Sequence, residues 1–139
     1  MKIDLSVVVD AIEMADDNYT YFLDIETGES VFLADELITG LDNKGLEDEI
    51  EENPDRYLRL PTKFEIHEYR IMEDFVWSLS EGRQQELLER AIRGRGAFRR
   101  FKDTVYDLGL EKKWFQYEAA AYRKIAMDWC RDNGIENFE

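Results

Sequence analysis

The N-terminal part of the chain changes from a helical to a strand pattern of apolar residues. Apolar side chains recur at helical spacing behind Asp4 or Ser6, either of which can cap a helix. The members of this stripe are Leu5, Val8, Val9 and Ile12. Tyr19–Ile25 then alternates as a strand does, and the Glu26–Glu29 turn returns the chain as a second strand, Ser30–Leu33. The pattern predicts a helix followed by a β-hairpin.

The stretch after the hairpin is acidic. Leu46–Asn53 is a short helix at most, because Pro54 stops it, and Tyr57–Leu60 is extended and can add a third strand. The acids are Asp42, Glu47, Asp48, Glu49, Glu51, Glu52 and Asp55. They lack the alternate spacing, central glycine and final glutamate of a calcium loop. We expect a solvated acidic helix; pairing with the chain's arginines and docking of a basic partner are the alternatives.

From Pro61 the apolar period becomes helical. Thr62–Glu65 is a capping box, in which the threonine and glutamate satisfy each other's free backbone donors. Four helices are predicted. The first runs from this box to about Leu79, and the second runs from a cap at Ser80 to the break at Gly94 and Gly96. The third runs from about Ala97 to Leu108 and is ended by Gly109, and the fourth runs from about Glu111 to Asn133 and is ended by Gly134. Their predicted core residues are Phe64, Ile71, Met72, Phe75, Val76, Trp77, Leu79, Leu87, Leu88, Ala91, Ile92, Phe98, Phe101, Val105, Leu108, Trp114, Phe115, Tyr117, Ala119, Tyr122, Ala126 and Trp129.

These patterns predict an α+β fold that is predominantly α-helical. A small acidic lobe of residues 1–60, with the N-terminal helix and the β-hairpin, precedes a body of about four helices in residues 61–139. The 139 residues are 44% apolar, which suits either one compact domain or a helical body with an appended lobe.

Composition argues against several chemistries. Cys130 is the only cysteine, so an intramolecular disulfide and a cysteine-based zinc site are excluded, and its apolar helix predicts a buried, inert thiol. His67 is the only histidine and lacks a second ligand one turn on, which predicts a polar surface or helix-edge residue. No metal or cofactor is predicted. No signal peptide or bilayer-length apolar run is visible, so we expect a cytoplasmic protein without a membrane partner.

The strongest functional feature is a cationic block in an acidic chain. Arg93–Lys102 holds five cations, two glycines and two phenylalanines, whereas the net charge of the chain is −14. The cations are Arg93, Arg95, Arg99, Arg100 and Lys102. Arginine presents a fixed fork of donors that matches carboxylates and phosphates, so such a block needs an anionic neighbour inside or outside the molecule.

Three uses of this block are open. The arginines can pair with the chain's own acids, above all in residues 1–60, where 17 acids face four bases. They can hold an external anion, with backbone amides of Gly94–Gly96 as further donors, or they can serve catalysis. No phosphate-loop motif is present. We expect at least two of Arg95, Arg99 and Arg100 to share one exposed surface, because helix geometry turns them away from the buried stripe.

Several blocks of this sequence resemble one bacterial family across nearly the whole chain. They are the Glu26–Glu29 turn, Tyr69–Phe75, Gly94–Asp103, Trp114 with Phe115, and Trp129 with Gly134 and Ile135. The chain resembles uncharacterised protein family 0158 in these blocks. The resemblance implies a soluble bacterial protein, and it supplies no catalytic residue.

The leading hypothesis is a non-enzymatic binding or regulatory module that grips an anionic partner, a protein or a nucleic acid, through the Arg93–Lys102 surface. RNA or another nucleic acid is the first alternative within binding. An enzyme that acts on a phosphorylated or carboxylated small molecule is the alternative from another class. A third is an acidic body that imitates nucleic acid toward a basic protein. The sequence leaves the oligomeric state open.

Overall fold

The structure of the protein is a computed structural model, and it describes residues 2–138. In chain order the elements are β1 (Lys2–Asp4), α1 (Leu5–Glu13), β2 (Tyr19–Asp24), β3 (Glu29–Ala34), α2 (Glu36–Thr39), α3 (Leu46–Glu52), β4 (Tyr57–Arg59), α4 (Lys63–Ile66), α5 (Glu68–Ser78), α6 (Arg83–Ala91), α7 (Ala97–Asp107), α8 (Glu111–Asp132) and β5 (Glu136–Phe138). The predicted α+β class with predominant helix is confirmed.

The contacts within the chain divide it into two units. The terminal unit contains residues 2–66 and 122–138, and the central unit contains residues 67–121. The chain leaves the terminal unit after Ile66, whereas the sequence pattern placed a division at residue 60. It returns within α8, because the boundary falls between Ala121 and Tyr122.

Two small sheets organise the terminal unit. β1 and β5 pair in parallel, with Lys2 opposite Glu136, so both ends of the unit lie side by side. β2 is the middle strand of a three-stranded sheet in the order β3-β2-β4, and both pairings are antiparallel. The hairpin turn and the third strand were both predicted and are confirmed. The turn uses Gly28 at φ +77, a left-handed conformation that glycine adopts without steric cost.

The core of the terminal unit is formed by residues of the strands, of α1 and of the C-terminal part of α8. Its most buried side chains include Ile3, Leu5, Val8, Ile12, Leu23, Leu60, Ala126 and Cys130. Asp4 caps α1 as predicted, because its carboxylate accepts a hydrogen bond from the backbone N–H of Ser6 at 3.0 Å. Burial raises the pKa of the Cys130 thiol, which is consistent with the predicted inert role.

A buried carboxylate joins the hairpin to β4. Asp24 is 4% exposed and accepts two hydrogen bonds from the Arg56 guanidinium, at 3.0 and 2.9 Å. It also accepts from the backbone N–H of Glu26 at 3.0 Å. The Arg56 hydrogen bonds hold the pKa of Asp24 below its usual value. A buried charge is tolerated here because it is paired in a bidentate geometry.

We predict that Asp24→Asn lowers the free energy of unfolding by roughly 1.5–3 kcal/mol at pH 7, typical of a hydrogen-bonded charged group. The pKa of Asp24 is depressed in the folded state. The stability it contributes is therefore present above its unfolded pKa, near 4, and is lost as the pH falls below that value. Urea melts at pH 7 and pH 3 measure both values, and exposed Asp17→Asn is the control. An equal loss at both pH values would contradict the assignment.

The central unit is built around a cluster of aromatic rings. Phe75 on α5, Phe101 on α7 and Trp114 on α8 meet with ring centroids 4.8–6.1 Å apart. Phe101 is fully buried, and Trp114 is 5% exposed. Met72, Val76, Leu88 and Val105 are among the other buried side chains of this unit. Edge-to-face aromatic packing of this kind adds to the stabilisation from area burial alone.

The long helix predicted from the capping box to Leu79 is in fact two helices. The box itself is confirmed: the Thr62 N–H donates to Glu65 at 3.1 Å, and the Glu65 N–H donates to Thr62 at 3.3 Å. α4 nevertheless ends at Ile66, since His67 has a left-handed φ of +56. His67 is exposed and lies between the two helices, in agreement with the predicted helix-edge position.

Several predicted core residues are exposed instead. They are Phe64 (82% exposed), Trp77 (64%), Phe98 (44%), Phe115 (60%) and Ala119. The break at His67 shifts the helical phase, so Phe64 no longer shares the stripe of α5. In the other aromatic cases an adjacent residue is the buried one: Val76, Ala97 and Trp114. The predicted cap at Ser80 is also wrong, because α6 begins at Arg83 behind Gly82.

We predict that Phe101→Ala lowers the free energy of unfolding by roughly 3–5 kcal/mol, as expected for a buried aromatic side chain. Phe98→Ala on the same helix is the matched control and should cost clearly less than Phe101→Ala, since Phe98 is 44% exposed. Denaturant melts of the two variants measure the difference. Equal losses would contradict the assigned orientation of α7.

Candidate functional site

The cationic block spans the end of α6, a glycine loop and the start of α7. Gly94 and Gly96 both have left-handed backbones, with φ +77 and +72. A Cβ atom at position 96 would lie 3.3 Å from a guanidinium nitrogen of Arg100. The left-handed backbone favours glycine at both positions, and the close approach of Arg100 adds a second reason at Gly96.

Arg100 folds back over this loop and binds backbone carbonyls. Its Nε donates to the Ala91 carbonyl at 3.2 Å, and its two terminal nitrogens donate to the carbonyls of Arg93 and Arg95. Carbonyls at a helix C-terminus have no partner within the helix, so this guanidinium supplies donors that α6 and the loop lack. Arg100 was predicted among the partner-binding cations, and in the structure its guanidinium is bound to the backbone of its own chain.

All five cations of the block are exposed residues, and the four besides Arg100 have no described hydrogen bond to the backbone. The Arg93 side chain is 71% exposed and pairs with Glu89, one turn earlier on α6, at 2.6 Å. The Arg99 side chain is 91% exposed, and its contact to Asp103 is long, at 4.0 Å. Arg95 and Lys102 are also exposed. Exposed ion pairs of this type contribute little, so a stronger anionic ligand can displace them.

The outer face of α7, which we call the basic face, combines positive charge with an aromatic ring. Arg99, Lys102 and Tyr106 are three and four residues apart, which places them on one side of a helix that turns about 100° per residue. Buried Phe101 and Val105 lie on the opposite side. Tyr106 is 72% exposed, so the face is open along its length. Asp103 shares this face and supplies its one acid.

A cleft of about 260 Å³ adjoins the part of this face formed by Lys102 and Tyr106. Its lining residues are Lys102, Val105, Tyr106, Glu111, Trp114, Phe115 and Glu118. The sequence analysis assigned Phe115 to the core and did not single out Tyr106 or Glu111. Tyr106 could have been found from the sequence, because its helical spacing from Arg99 and Lys102 places its aromatic ring on the basic face.

A second exposed aromatic group lies beside the basic face. Phe98 is 44% exposed, and its ring centroid is 6.4 Å from that of Tyr69, which is 37% exposed. The Tyr69 hydroxyl donates to the Ile92 carbonyl at 2.6 Å, which fixes this ring against the end of α6. Phe98 is thus available for contact rather than buried, contrary to the prediction.

The charge of the chain is unevenly divided between the two units. Residues 67–121 hold ten acids and ten bases, so the central unit is neutral. The remaining residues hold 22 acids and eight bases, which accounts for the whole net charge of −14. The ion pairs described for the block involve Glu89 and Asp103, which belong to the central unit. The Arg93–Lys102 block therefore lies on the central unit, whose net charge is zero.

Within residues 2–138, no cluster of three or more histidine, cysteine, aspartate or glutamate side chains is arranged to hold a metal ion. In the same range, no helix has the length and apolar character needed to span a membrane.

Comparison with known proteins identifies the family. The model of the Uncharacterised protein family (UPF0158) matches residues 1–138. The chain belongs to this family. This confirms the resemblance seen in the sequence blocks. A UPF0158 protein of Pseudomonas aeruginosa is 24% identical over 137 residues, 98% of this chain and 86% of that protein.

Two chlamydial relatives are longer than this chain. UPF0158 proteins of Chlamydia trachomatis and Chlamydia muridarum are 30% and 29% identical, each over 93% of this chain. The chain spans only 40% and 39% of the length of those two proteins. No solved structure gives a significant match to this fold.

We predict that Arg100 and Arg99 differ sharply in their effect on stability. Arg100→Ala removes the donors of three backbone carbonyls and should lower the free energy of unfolding by roughly 1–3 kcal/mol. Arg99→Ala should change it by less than about 0.5 kcal/mol, as surface substitutions do. Arg100→Lys should restore only part of the loss, because an ammonium lacks the planar fork. Urea melts measure these values, and equal stability of the two alanine variants would contradict the role of Arg100.

Proposed function

We propose that this protein is a binding module whose central unit grips an anionic partner through Arg95, Arg99 and Lys102, with Arg93 at the edge. We refer to these four residues as the basic surface. The observation that carries the proposal is the state of Arg99: its side chain is 91% exposed, and its only described ion pair is 4.0 Å long. Arginine in this state retains its donors for an external carboxylate or phosphate.

Arg100 has a supporting role in this proposal. It holds the glycine loop against the end of α6 through three backbone carbonyls. The loop carries Arg95 and leads directly into the turn of α7 that carries Arg99. Arg100 is therefore a positioning residue, and it does not contact the partner.

The charge distribution favours an anionic partner that binds to the central unit. The ten acids and ten bases of residues 67–121 cancel, so an incoming anion meets local positive charge on this unit without net repulsion from it. The net charge of −14 on the rest of the chain opposes indiscriminate coating by polyanions. This combination favours a focused contact and a clear dependence of affinity on salt.

Single-stranded RNA is a second candidate within the same proposal. The observation that favours it is the exposure of Phe98 beside Arg99, because exposed aromatic rings next to arginines stack on bases while the cations follow the phosphates. An acidic protein segment offers carboxylates to the arginines, but it has no bases to stack on the Phe98 ring.

We predict that Arg95→Glu combined with Arg99→Glu abolishes polyanion binding. Fluorescence anisotropy with a labelled single-stranded RNA of mixed sequence and with a labelled polyglutamate peptide measures both partner types. Affinity of the unmodified protein should fall steeply with added salt, with a slope that reports the number of phosphates contacted. Preference for RNA over polyglutamate would favour the second candidate.

The matched control is Arg83→Glu combined with Lys113→Glu. Both residues are exposed and belong to the central unit, so this variant has the same change in net charge at a distance in sequence from the block. It should bind nearly as well as the unmodified protein. Equal weakening by both double variants would show a nonspecific charge effect and overturn the basic surface as the site.

A further inference from the structure

The outer edge of β3 is uncovered over part of its length. Within residues 2–138 the three-stranded sheet has the order β3-β2-β4, so β3 is an edge strand. All six of its residues pair with β2 in one uninterrupted antiparallel register. β3 therefore has no bulge, and it also lacks the lysine and proline residues that block the edges of many sheets.

The side chain of Asn43 shows which backbone groups of β3 face outward. Its amide accepts a hydrogen bond from the Ala34 N–H at 2.9 Å and donates one to the Ala34 carbonyl at 3.1 Å. The Asp35 N–H points the other way and donates at 2.8 Å to the residue before β2. Outward and inward bonding alternate along an edge strand, so Ser30 and Phe32 also direct their N–H and C=O groups outward. We call these four backbone groups the open edge, because Asn43 covers the strand only at Ala34.

Three aromatic rings lie beside the open edge on one face of the sheet. The Phe32 ring is 46% exposed, and its centroid lies 5.5 Å from that of Tyr19 and 5.8 Å from that of Tyr21. Asp16 forms an isolated β-bridge with Tyr19. Burial raises the pKa of Tyr21, and the nearby charge of Asp16 raises it further. A carboxylate beside aromatic rings favours a cationic side chain, which is attracted to both.

The charge of this part of the chain favours a basic partner. Residues 16–44 hold eight acids and one lysine, and Arg56 pairs with two of those acids, so the net charge remains −6. A nucleic acid is repelled by such a region. A second copy of the chain would bring the same acids and place one Glu29 near another, so pairing of β3 with itself is disfavoured. A basic segment is attracted, and in extended form it offers the N–H and C=O groups that the open edge can bind.

We propose that the open edge of β3 binds an extended segment of a protein partner, containing arginine or lysine, as an added antiparallel strand. The cationic residue lies opposite Phe32, exchanges two backbone hydrogen bonds with it, and places its side chain on the face of the three rings. The residues on either side of this cation lie opposite Val31 and Leu33, which favours β-branched apolar side chains there. The site belongs to the terminal unit and does not depend on the basic surface.

Fluorescence anisotropy of the full chain with a labelled peptide that alternates arginine and valine tests this site. Two N-methylated forms of the peptide carry the same charge, one methylated on its arginines and the other on its valines. In the proposed pairing the arginine N–H groups point toward β3. Methylated arginines should therefore weaken binding at least about tenfold, as expected for the loss of more than one hydrogen bond. Methylated valines should leave the affinity nearly unchanged, because their N–H groups point away from β3.

Variants of β3 test the same contact from the side of the protein. Ser30→Pro removes an outward N–H without removing a bond to β2, a change that edge strands tolerate, and it should weaken binding about tenfold. Ser30→Ala keeps the N–H and is the matched control. Phe32→Ala removes the ring that faces the cation and should also weaken binding. The Arg95→Glu and Arg99→Glu double variant should bind the peptide at least as well as the unmodified protein, which separates this site from the proposed function.

Three outcomes would overturn the proposal. Equal binding of the two methylated peptides would show only a general attraction of cations to an acidic chain. Equal binding of a peptide that alternates glutamate and valine would show that the partner is not selected by charge. Self-association of the unmodified protein in analytical ultracentrifugation, abolished by Ser30→Pro, would assign the open edge to a second copy. Thermal melts confirm that each variant remains folded, and if Ser30→Pro unfolds, the methylated peptides and Phe32→Ala decide the question.

Discussion

The contact between Arg100 and the end of α6 sets the geometry on which the basic surface depends. α6 and α7 are joined by only a few residues, two of which are left-handed glycines, and such a loop leaves helix carbonyls without donors. One guanidinium meets three of these carbonyls at once. Arg100 is thus bound to backbone carbonyls of its own chain, whereas the side chains of the neighbouring cations extend into solvent.

Most of the fold follows from local patterns, and three of the errors in assigning core residues share one physical cause. The hairpin, the third strand, the cap at Asp4 and the capping box all depend on neighbouring residues, and each is confirmed. Trp77, Phe98 and Phe115 were assigned to the core, and each stands next to another apolar residue that is buried instead. Trp114 is buried and Phe115 is exposed, yet a phase difference of about 100° separates them, and only the partner helix decides which one faces the core. Hydrophobic periodicity alone does not resolve such pairs.

The candidate site was predictable only in part. The cationic block was visible because five cations in an acidic chain stand out in composition. The sequence did not show that Arg99 extends into solvent while Arg100 binds the backbone, because that difference depends on where the C-terminal carbonyls of α6 lie relative to α7. The cleft beside Lys102 and Tyr106 carried no signal in the sequence, because its walls come from two helices, α7 and α8. Long-range packing, rather than sequence spacing, creates that environment.

The parallel pairing of β1 with β5 has a consequence for the order in which the chain folds. The partners Lys2 and Glu136 lie almost a full chain length apart, so the terminal unit requires closure of a very long loop, whereas the central unit is one continuous segment. During synthesis the central unit emerges whole while β1 still lacks its partner strand. We therefore expect the central unit to act as an early nucleus and the terminal unit to close around the ends of the chain last. In this view the neutral, arginine-bearing segment is an insertion, and its own folding shortens the loop that the terminal unit must close.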